Sequence, residues 1–323
     1  MSKLKLTLAC GDYDFLRPLI NGEVQPQGID LNVLTMPSPE RHGRMLRHEE
    51  FDVCELSLVG YLVARDKGCN YNAIPVFPHR RFRHQYMVKR TCCGIDKPSD
   101  LNGKRVALDT LQNSAGLWMR GILQDHYGVD LETIEWWCQE DENIPFEPAR
   151  WMRIKRVAQG KNVDQMLLEG DLEAALYPET LPSIRSGNPK VALLFSDPKK
   201  AEIEYYKNGG FFPIMHTVVI KNPILEKYPW AAMSLVQAFQ RAKEICYARN
   251  SDPRSFALVW VQDLIREQQE IFGADPWPYN LDDNRKALEA VIRYEYEQGM
   301  IKKKPNVEDL FFPPSLQRIQ HYV

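Results

Sequence analysis

Two short segments, Arg80 to Val88 (RRFRHQYMV) and Phe211 to Ile220 (FFPIMHTVVI), each run a histidine into an apolar stretch rich in β-forming residues, and a complete α/β unit lies between them. A chain that leaves one packed unit, builds a second and returns to the first must cross between them twice. The expectation is two lobes joined by paired hinge strands, with residues 1–85 and 212–323 in the first lobe and residues 86–211 in the second. A length of 323 residues exceeds what one hydrophobic core usually serves, which agrees with that division. On this reading His84 and His216 face each other across a cleft, although 132 positions separate them. Two imidazoles that titrate near neutral pH would suit such a cleft to proton transfer.

Strands and helices alternate along the chain. Leu4 to Ala9 alternates with period two, and Asp30 to Thr35 follows a Gln27-Gly28 turn. Phe51 to Leu58 (FDVCELSL) follows a helical stretch, Glu40 to His48, that opens at Ser38 with a proline in its first turn. This β-α-β order predicts a largely parallel sheet whose ligands gather beyond the carboxyl ends of the strands. Leu101 to Leu108 (LNGKRVAL) reads as a turn feeding a strand, after which the polar loop Asp109 to Ser114 leads into an amphipathic helix, Ala115 to His126. With Ser114 as N-cap, this loop and helix start, Asn113 included, would aim backbone N–H groups at a carboxylate. Val163 to Glu169 reads as helix and Leu172 to Tyr177 as strand, followed by a proline-rich loop from Pro178 to Pro189 at the cleft edge. Trp137 to Arg156, broken by Pro145 and Pro148, reads as a long loop. After Asn222-Pro223 the chain turns helical, over Pro229 to Arg249, Pro253 to Phe272 and Arg285 to Gln298.

A formal charge of −2 without a basic stripe makes nucleic acid an unexpected partner. No window approaches the roughly 18 to 20 apolar residues of a membrane span, so no membrane role is expected. The opening MSKLKLTLACGDYDF has no long apolar core of the signal-peptide kind. Seven cysteines without a C-x-x-C pair argue against a disulfide framework and against a thiolate zinc site, and a reducing cytoplasm is the expected compartment. Neither a G-x-S-x-G elbow nor a glycine-rich phosphate loop is present.

Seven stretches, in order along nearly the whole chain, carry a family resemblance: Leu6 to Tyr13 (LTLACGDY), Arg44 to Leu58 (RMLRHEEFDVCELSL), Ile74 to His84 (IPVFPHRRFRH), Leu101 to Ala107 (LNGKRVA), Trp118 to Leu123 (WMRGIL), Phe212 to Ile220 (FPIMHTVVI) and Trp277 to Gly299 (WPYNLDDNRKALEAVIRYEYEQG). In these the chain resembles the 4,5-dihydroxyphthalate decarboxylase family, which is similar in plan to type II periplasmic solute-binding proteins. L-x-G-K-R-V-A is common to many solute-binding folds, whereas F-R-H, F-P-I-M-H-T and W-P-Y together are particular to the decarboxylase group. The resemblance implies a two-lobed α/β fold of the periplasmic-binding-protein type II plan, with hinge strands, a cleft and a helical C-terminal part. It also marks one departure. Where the family pattern has an arginine before a proline, this chain reads Tyr177-Pro178-Glu179-Thr180-Leu181-Pro182, so a cation able to hold a carboxylate is replaced by an acid.

The implied activity is loss of CO2 from a small aromatic carboxylate that carries a hydroxyl group. Protonating the carbon that bears the carboxylate is accessible when a phenol ortho or para to it pushes electron density there. Such an enzyme needs a cation on the carboxylate, a group for the phenol proton and an acid aimed at the ring carbon. His84 and His216 are the expected proton-handling groups and Arg83 the bidentate carboxylate grip. Glu55 would orient an imidazole or take the phenol proton, and Ser57 would bond a ring oxygen. Asn113 and Ser114 would help to hold the carboxylate, while Tyr13, Trp118 and Tyr279 are candidates to stack on the ring. No organic cofactor is expected; a metal held by His84, His216 and Glu55 is the alternative. A homo-oligomer is the expected assembly. The rival from another class is a solute-binding protein that holds an aromatic or other small carboxylate unchanged in the same cleft.

Overall fold

The computed structural model describes residues 3–312 and organises them around two sheets. The first sheet contains β1 (Leu4–Cys10), β2 (Ile29–Thr35), β3 (Val53–Ser57) and β4 (Tyr71–Arg80). The second contains β5 (Met87–Arg90), β6 (Arg105–Leu108), β7 (Glu135–Cys138), β8 (Arg153–Arg156), β9 (Ala174–Leu176) and β10 (Val191–Leu193). The chain then returns to the first sheet as β11 (Ile214–Lys221), giving the spatial orders β2-β1-β3-β11-β4 and β10-β5-β9-β6-β7-β8. The protein is therefore a two-lobed mixed α/β fold, with β11 inserted antiparallel between β3 and β4.

Local chemistry explains most elements. Ser57 ends β3 and caps the helix Leu58–Asp66, its Oγ accepting from the Gly60 N–H at 3.2 Å. That helix reads LVGYLVARD, apolar nearly all round, and no period of 3.6 marks it in the sequence because it is buried on every side. The apolar faces of the first sheet pack against Leu235, Val236 and Phe239 of the helix Trp230–Asn250. The helix Ser114–Tyr127 lies against the first lobe: the buried Trp118 Nε1 donates to the Ile214 carbonyl at 2.7 Å, and a side chain at Gly121 would collide with the Tyr294 ring. Among the described residues no helix is long and apolar enough to cross a membrane.

Four sequence expectations change. The segment from Arg80 to Val88 is not a continuous strand: β4 ends at Arg80, His84–Tyr86 forms a single 3-10 turn, and β5 begins at Met87. Trp137 to Arg156 is not all loop, because its ends extend the second sheet as β7 and β8 while Pro145 and Pro148 interrupt only the connection. Asn113, not Ser114, caps its helix, with Oδ1 accepting from the Ala115 N–H at 2.8 Å. Pro253 to Phe272 divides into a 3-10 turn, Pro253–Ser255, and the helix Val261–Phe272.

Candidate active site

Glu55 is the fixed point of the site. It sits inside β3 and is fully buried, where a carboxylate persists only if every lone pair finds a donor. Its Oε2 accepts from the Gly11 N–H at 2.7 Å, and its Oε1 accepts from Tyr13 Oη at 2.8 Å. Oε1 also lies 2.9 Å from Arg41 Nη2 and 2.5 Å from His216 Nδ1. Arg41, equally buried, donates from Nε to the Glu55 backbone carbonyl and from Nη1 to the Met36 carbonyl. The pair is thus held by both ends of the guanidinium, the geometry in which a buried ion pair is tolerated. Burial first, and then Glu55, push the Tyr13 phenol up, so it stays a donor to the carboxylate. The Cys10 thiol is likewise pushed up to about 12, first by burial and then by Glu55, which makes it a packing residue and not a nucleophile.

His216 extends this chain of contacts. It pairs with Ser57 on β3 and with His79 on β4, and the β11–β4 register shifts on both sides of it. Such irregularities re-aim side chains and recur beside functional sites. His216 Nε2 stands 3.5 Å from His79 Nδ1, and the His42 ring meets the His216 ring edge-on at 4.6 Å between centroids. Burial first lowers the pKa of each imidazole: His216 is further lowered by Arg41 and Arg83, and His42 and His79 by His216. Beyond Tyr13 and Arg41 a cavity of about 370 Å³ opens against Gly11, Met36 and Ser38, past the carboxyl ends of β1 and β2.

His84 does not join this group. Its ring is fully buried against Tyr127, Phe195 and Tyr205, with Nε2 at 3.0 Å from Tyr127 Oη and Nδ1 at 4.0 Å from Glu202 Oε1. The cause is the break in the hinge segment: with β4 ending at Arg80, the residue that reaches His216 is His79, five positions earlier. The expected pairing of His84 with His216 is therefore incorrect. The proposed metal set of His84, His216 and Glu55 does not converge, and no group of three or more His, Cys, Asp or Glu among the described residues is arranged to hold a metal.

Arg83 is buried and bonds to one oxygen, the Pro178 carbonyl, at 3.0 Å from Nη1. Its Nε and Nη2 lie against the Met215 thioether at 3.2 and 2.8 Å. No carboxylate among the described residues pairs with it, and burial, then Arg81, lower its pKa to about 9. Ser57 and Ser114 join their hydroxyls at 2.9 Å, and Ser114 Oγ donates to the Met215 carbonyl, so these two residues link the lobes beside His216. Asn113 is used by its cap and by Asp109. Trp118 is fully buried against Phe211 and Tyr294 and cannot stack on a substrate, because its position on the helix faces the core. Tyr279 lines a different cavity of about 540 Å³, with Arg80, Phe212, Phe272 and Asn284. Sequence reading missed Arg41, His42 and His79. The first two stand at a helix start in a charge-rich run that reads as solvated, and His79 lies in the matched stretch Ile74 to His84, where the end of the strand would have singled it out.

The buried imidazoles carry a consequence for stability. Burial first, then His126, depress His84 from 6.5 to about 4, and His42, His79 and His216 are lowered too, so folding excludes protons that the unfolded chain would bind. Their contribution is present above pH 6.5 and is lost as the pH falls toward the folded values. Glu202, raised by burial to about 7, and Glu295, raised by burial and then Asp66, act with the opposite sign, their contributions being lost as pH rises, as do the raised carboxyls of Glu142 and Asp109; the five lowered imidazoles, His126 included, outnumber them. The urea midpoint is expected to fall between pH 7 and pH 5, with a shallower fall in His84→Phe. An unchanged midpoint across that range would show that these rings do not titrate on unfolding.

Comparison with known proteins follows the same lines. Residues 16–189 match the family described as the periplasmic substrate-binding protein of a phosphonate ABC transporter. Among solved structures, the periplasmic aliphatic sulphonate binding protein SsuA from Escherichia coli superposes with a TM-score of 0.58 at 12% identity, covering 96% of this chain and 97% of that one. The alkanesulfonate-binding protein SsuA from Xanthomonas axonopodis pv. citri, bound to MOPS, gives 0.54 at 11% identity, covering 97% and 98%. At such identities the likeness concerns the fold, which is that of the two-lobed solute-binding proteins. Sequence similarity is higher elsewhere: a 4,5-dihydroxyphthalate decarboxylase from Pseudomonas putida is 34% identical over 64% of this chain and 83% of its own. Another from Comamonas testosteroni is 33% identical over 98% of this chain and 99% of its own. With that identity sustained from end to end on a solute-binding fold, the chain belongs to the 4,5-dihydroxyphthalate decarboxylase family.

Proposed function

We propose that this protein is a non-oxidative carboxy-lyase that removes CO2 from a hydroxylated aromatic carboxylate of the 4,5-dihydroxyphthalate type. The observation that carries the reading is the buried Glu55–His216 pair, which shares its surroundings with Arg83, a guanidinium that forms no salt bridge among the described residues, Glu202 acting on it only from a distance. A buried cation left with one carbonyl, a thioether and the face of the Tyr86 ring is a receptor for an anion, and a planar carboxylate satisfies its remaining N–H groups bidentately. In a 4,5-dihydroxyphthalate ring each carboxylate has a hydroxyl para to it. Loss of the hydroxyl proton sends charge to the para carbon, which accepts a proton; the C–C bond electrons then return to the ring as CO2 departs. One proton enters the ring carbon for each CO2 released. Because the ring supplies its own electron source, no organic cofactor is required. Seven free cysteines support a reducing, cytoplasmic setting.

Incubation with 4,5-dihydroxyphthalate and with simpler hydroxybenzoates, while CO2 is followed, tests the reading. Turnover of a ring with a para hydroxyl is expected. Tight binding across the panel without CO2 release would favour a carboxylate-binding protein, the reading that the solute-binding fold also accommodates.

Glu179 bears on which acid is used. It is exposed on the loop after β9, next to the Pro178 carbonyl that Arg83 holds. A second carboxylate on the substrate would meet an acid there and not a base. Glu179→Arg is expected to raise kcat/KM for a dicarboxylate relative to a monocarboxylate by about tenfold, a difference of about 1.4 kcal/mol for reversing an exposed charge beside the ligand. An unchanged ratio would mean that the loop does not face the substrate.

A further inference from the structure

Glu55, His216 and His79 form a connected series that ends on an unused nitrogen. The oxygens of Glu55 only accept, from Gly11, Tyr13 and Arg41, so the 2.5 Å contact with His216 Nδ1 requires that nitrogen to donate. In a neutral ring this leaves Nε2 of His216 as a lone pair, directed at His79 Nδ1 3.5 Å away. His79 Nδ1 is then the donor, and its Nε2 carries a lone pair. That Nε2 is buried and has no hydrogen-bond partner among the described residues, a state that costs free energy until a donor arrives. Of the three clustered imidazoles, His42 and His216 are buried whereas His79 is half-buried, with the Tyr13 ring stacked beside it at 5.9 Å between centroids. The first contact in the series is short and the second long, and apo catalytic contacts of this kind tighten when substrate closes the site.

Resting on the decarboxylase reading above, we infer that His79 is the catalytic base: its Nε2 takes the proton from the substrate hydroxyl para to the departing carboxylate, with His216 and Glu55 acting as positioning residues that fix its tautomer. The step balances. The O–H bond breaks, its electron pair stays on oxygen as phenolate, and the proton forms an N–H bond at Nε2; the ring carbon takes its proton from water, whose hydroxide captures the departing CO2 as bicarbonate, and the phenolate of the product recovers the proton from Nε2 only as it leaves the site. A ring whose para hydroxyl is methylated offers no proton and should not turn over.

The test uses the full-length protein and 3,4-dihydroxybenzoate, the ring that remains when 4,5-dihydroxyphthalate loses one carboxylate. Bound to the wild-type protein at pH 7, this catechol is expected to show the red-shifted ultraviolet band of a catecholate. His79→Gln should bind it within about threefold of the wild-type Kd without that band, and should lower kcat by about 100-fold, as for loss of a general base. A merely structural role would not remove the band while binding is kept. CO2 release by the wild-type protein with the bound catechol remaining neutral overturns this inference alone, and needs no variant. Neither binding nor CO2 release with any ring of the panel overturns the decarboxylase reading and the inference together.

Discussion

His216→Ala is expected to lower kcat for CO2 release at least about 100-fold, the scale of losing the proton transfer that His79 performs and His216 positions. The size follows from its place in the site: His216 Nδ1 is held 2.5 Å from Glu55, and its Nε2 faces His79 Nδ1, so its ring joins that carboxylate to His79 through two nitrogens. KM for the carboxylate should change little, because Arg83 and its neighbours remain. The two effects separate a chemical role from a packing role. A cavity left by the missing ring would lower the melting temperature, but would not by itself leave KM unchanged while kcat collapses. Steady-state CO2 release together with a thermal melt decides it, and full activity would remove His216 from the mechanism. Glu55→Gln is a less clean probe, since it leaves Arg41, also fully buried, without its counter-charge and is expected to cost about 3–5 kcal/mol of stability.

Arg83→Met should raise KM by about 100-fold, taking about 3 kcal/mol for truncating one partner of a buried, hydrogen-bonded charge pair. The same substitution is expected to hold or raise the melting temperature. In the free protein the guanidinium has one oxygen partner, a thioether and the Tyr86 ring face, so a desolvated cation is being replaced by a side chain that packs on Met215 and Tyr86. Opposite changes in stability and affinity at one residue are the mark of a group kept for its ligand. Arg83→Lys keeps the charge but not the planar fork, and an intermediate KM is expected. An unchanged KM in Arg83→Met, measured alongside an unchanged Kd for 3,4-dihydroxybenzoate, would place the carboxylate elsewhere.

How far the sequence was legible follows from the range of the forces involved. The alternation of Leu4–Cys10, the proline inside the first turn of Ser38–His48 and the amphipathic run of Arg285–Glu297 are written in residues within a few positions of one another, and these elements could be placed to within one or two residues. Glu55 could be singled out because a carboxylate inside the apolar run FDVCELSL is costly unless it is used. Elements defined by long-range surroundings were harder. Leu58–Asp66 is apolar on every side and shows no period, and β8 is a four-residue strand with an exposed flank, recognisable only through its parallel pairing with β7. Among site residues the misplacement of His84 has the same origin. Whether a strand ends at Arg80 or continues to Val88 depends on which carbonyls of β11 are there to receive it.

By itself the sequence determined that the chain makes two α/β units, that it leaves the first and comes back, and that an acid and several bases lie where those crossings occur, because propensity, period and turn chemistry act locally. Only the tertiary structure decided which of them meet. The irregular register of β11 against β4 brings His79 to His216, the helix Ser38–His48 delivers Arg41 to Glu55, and the turn after Arg80 sends His84 into an aromatic nest. Register and side-chain direction are settled by pairing and packing between different elements, which for β4 and β11 lie more than a hundred residues apart, and a one-residue slip in a strand reverses them.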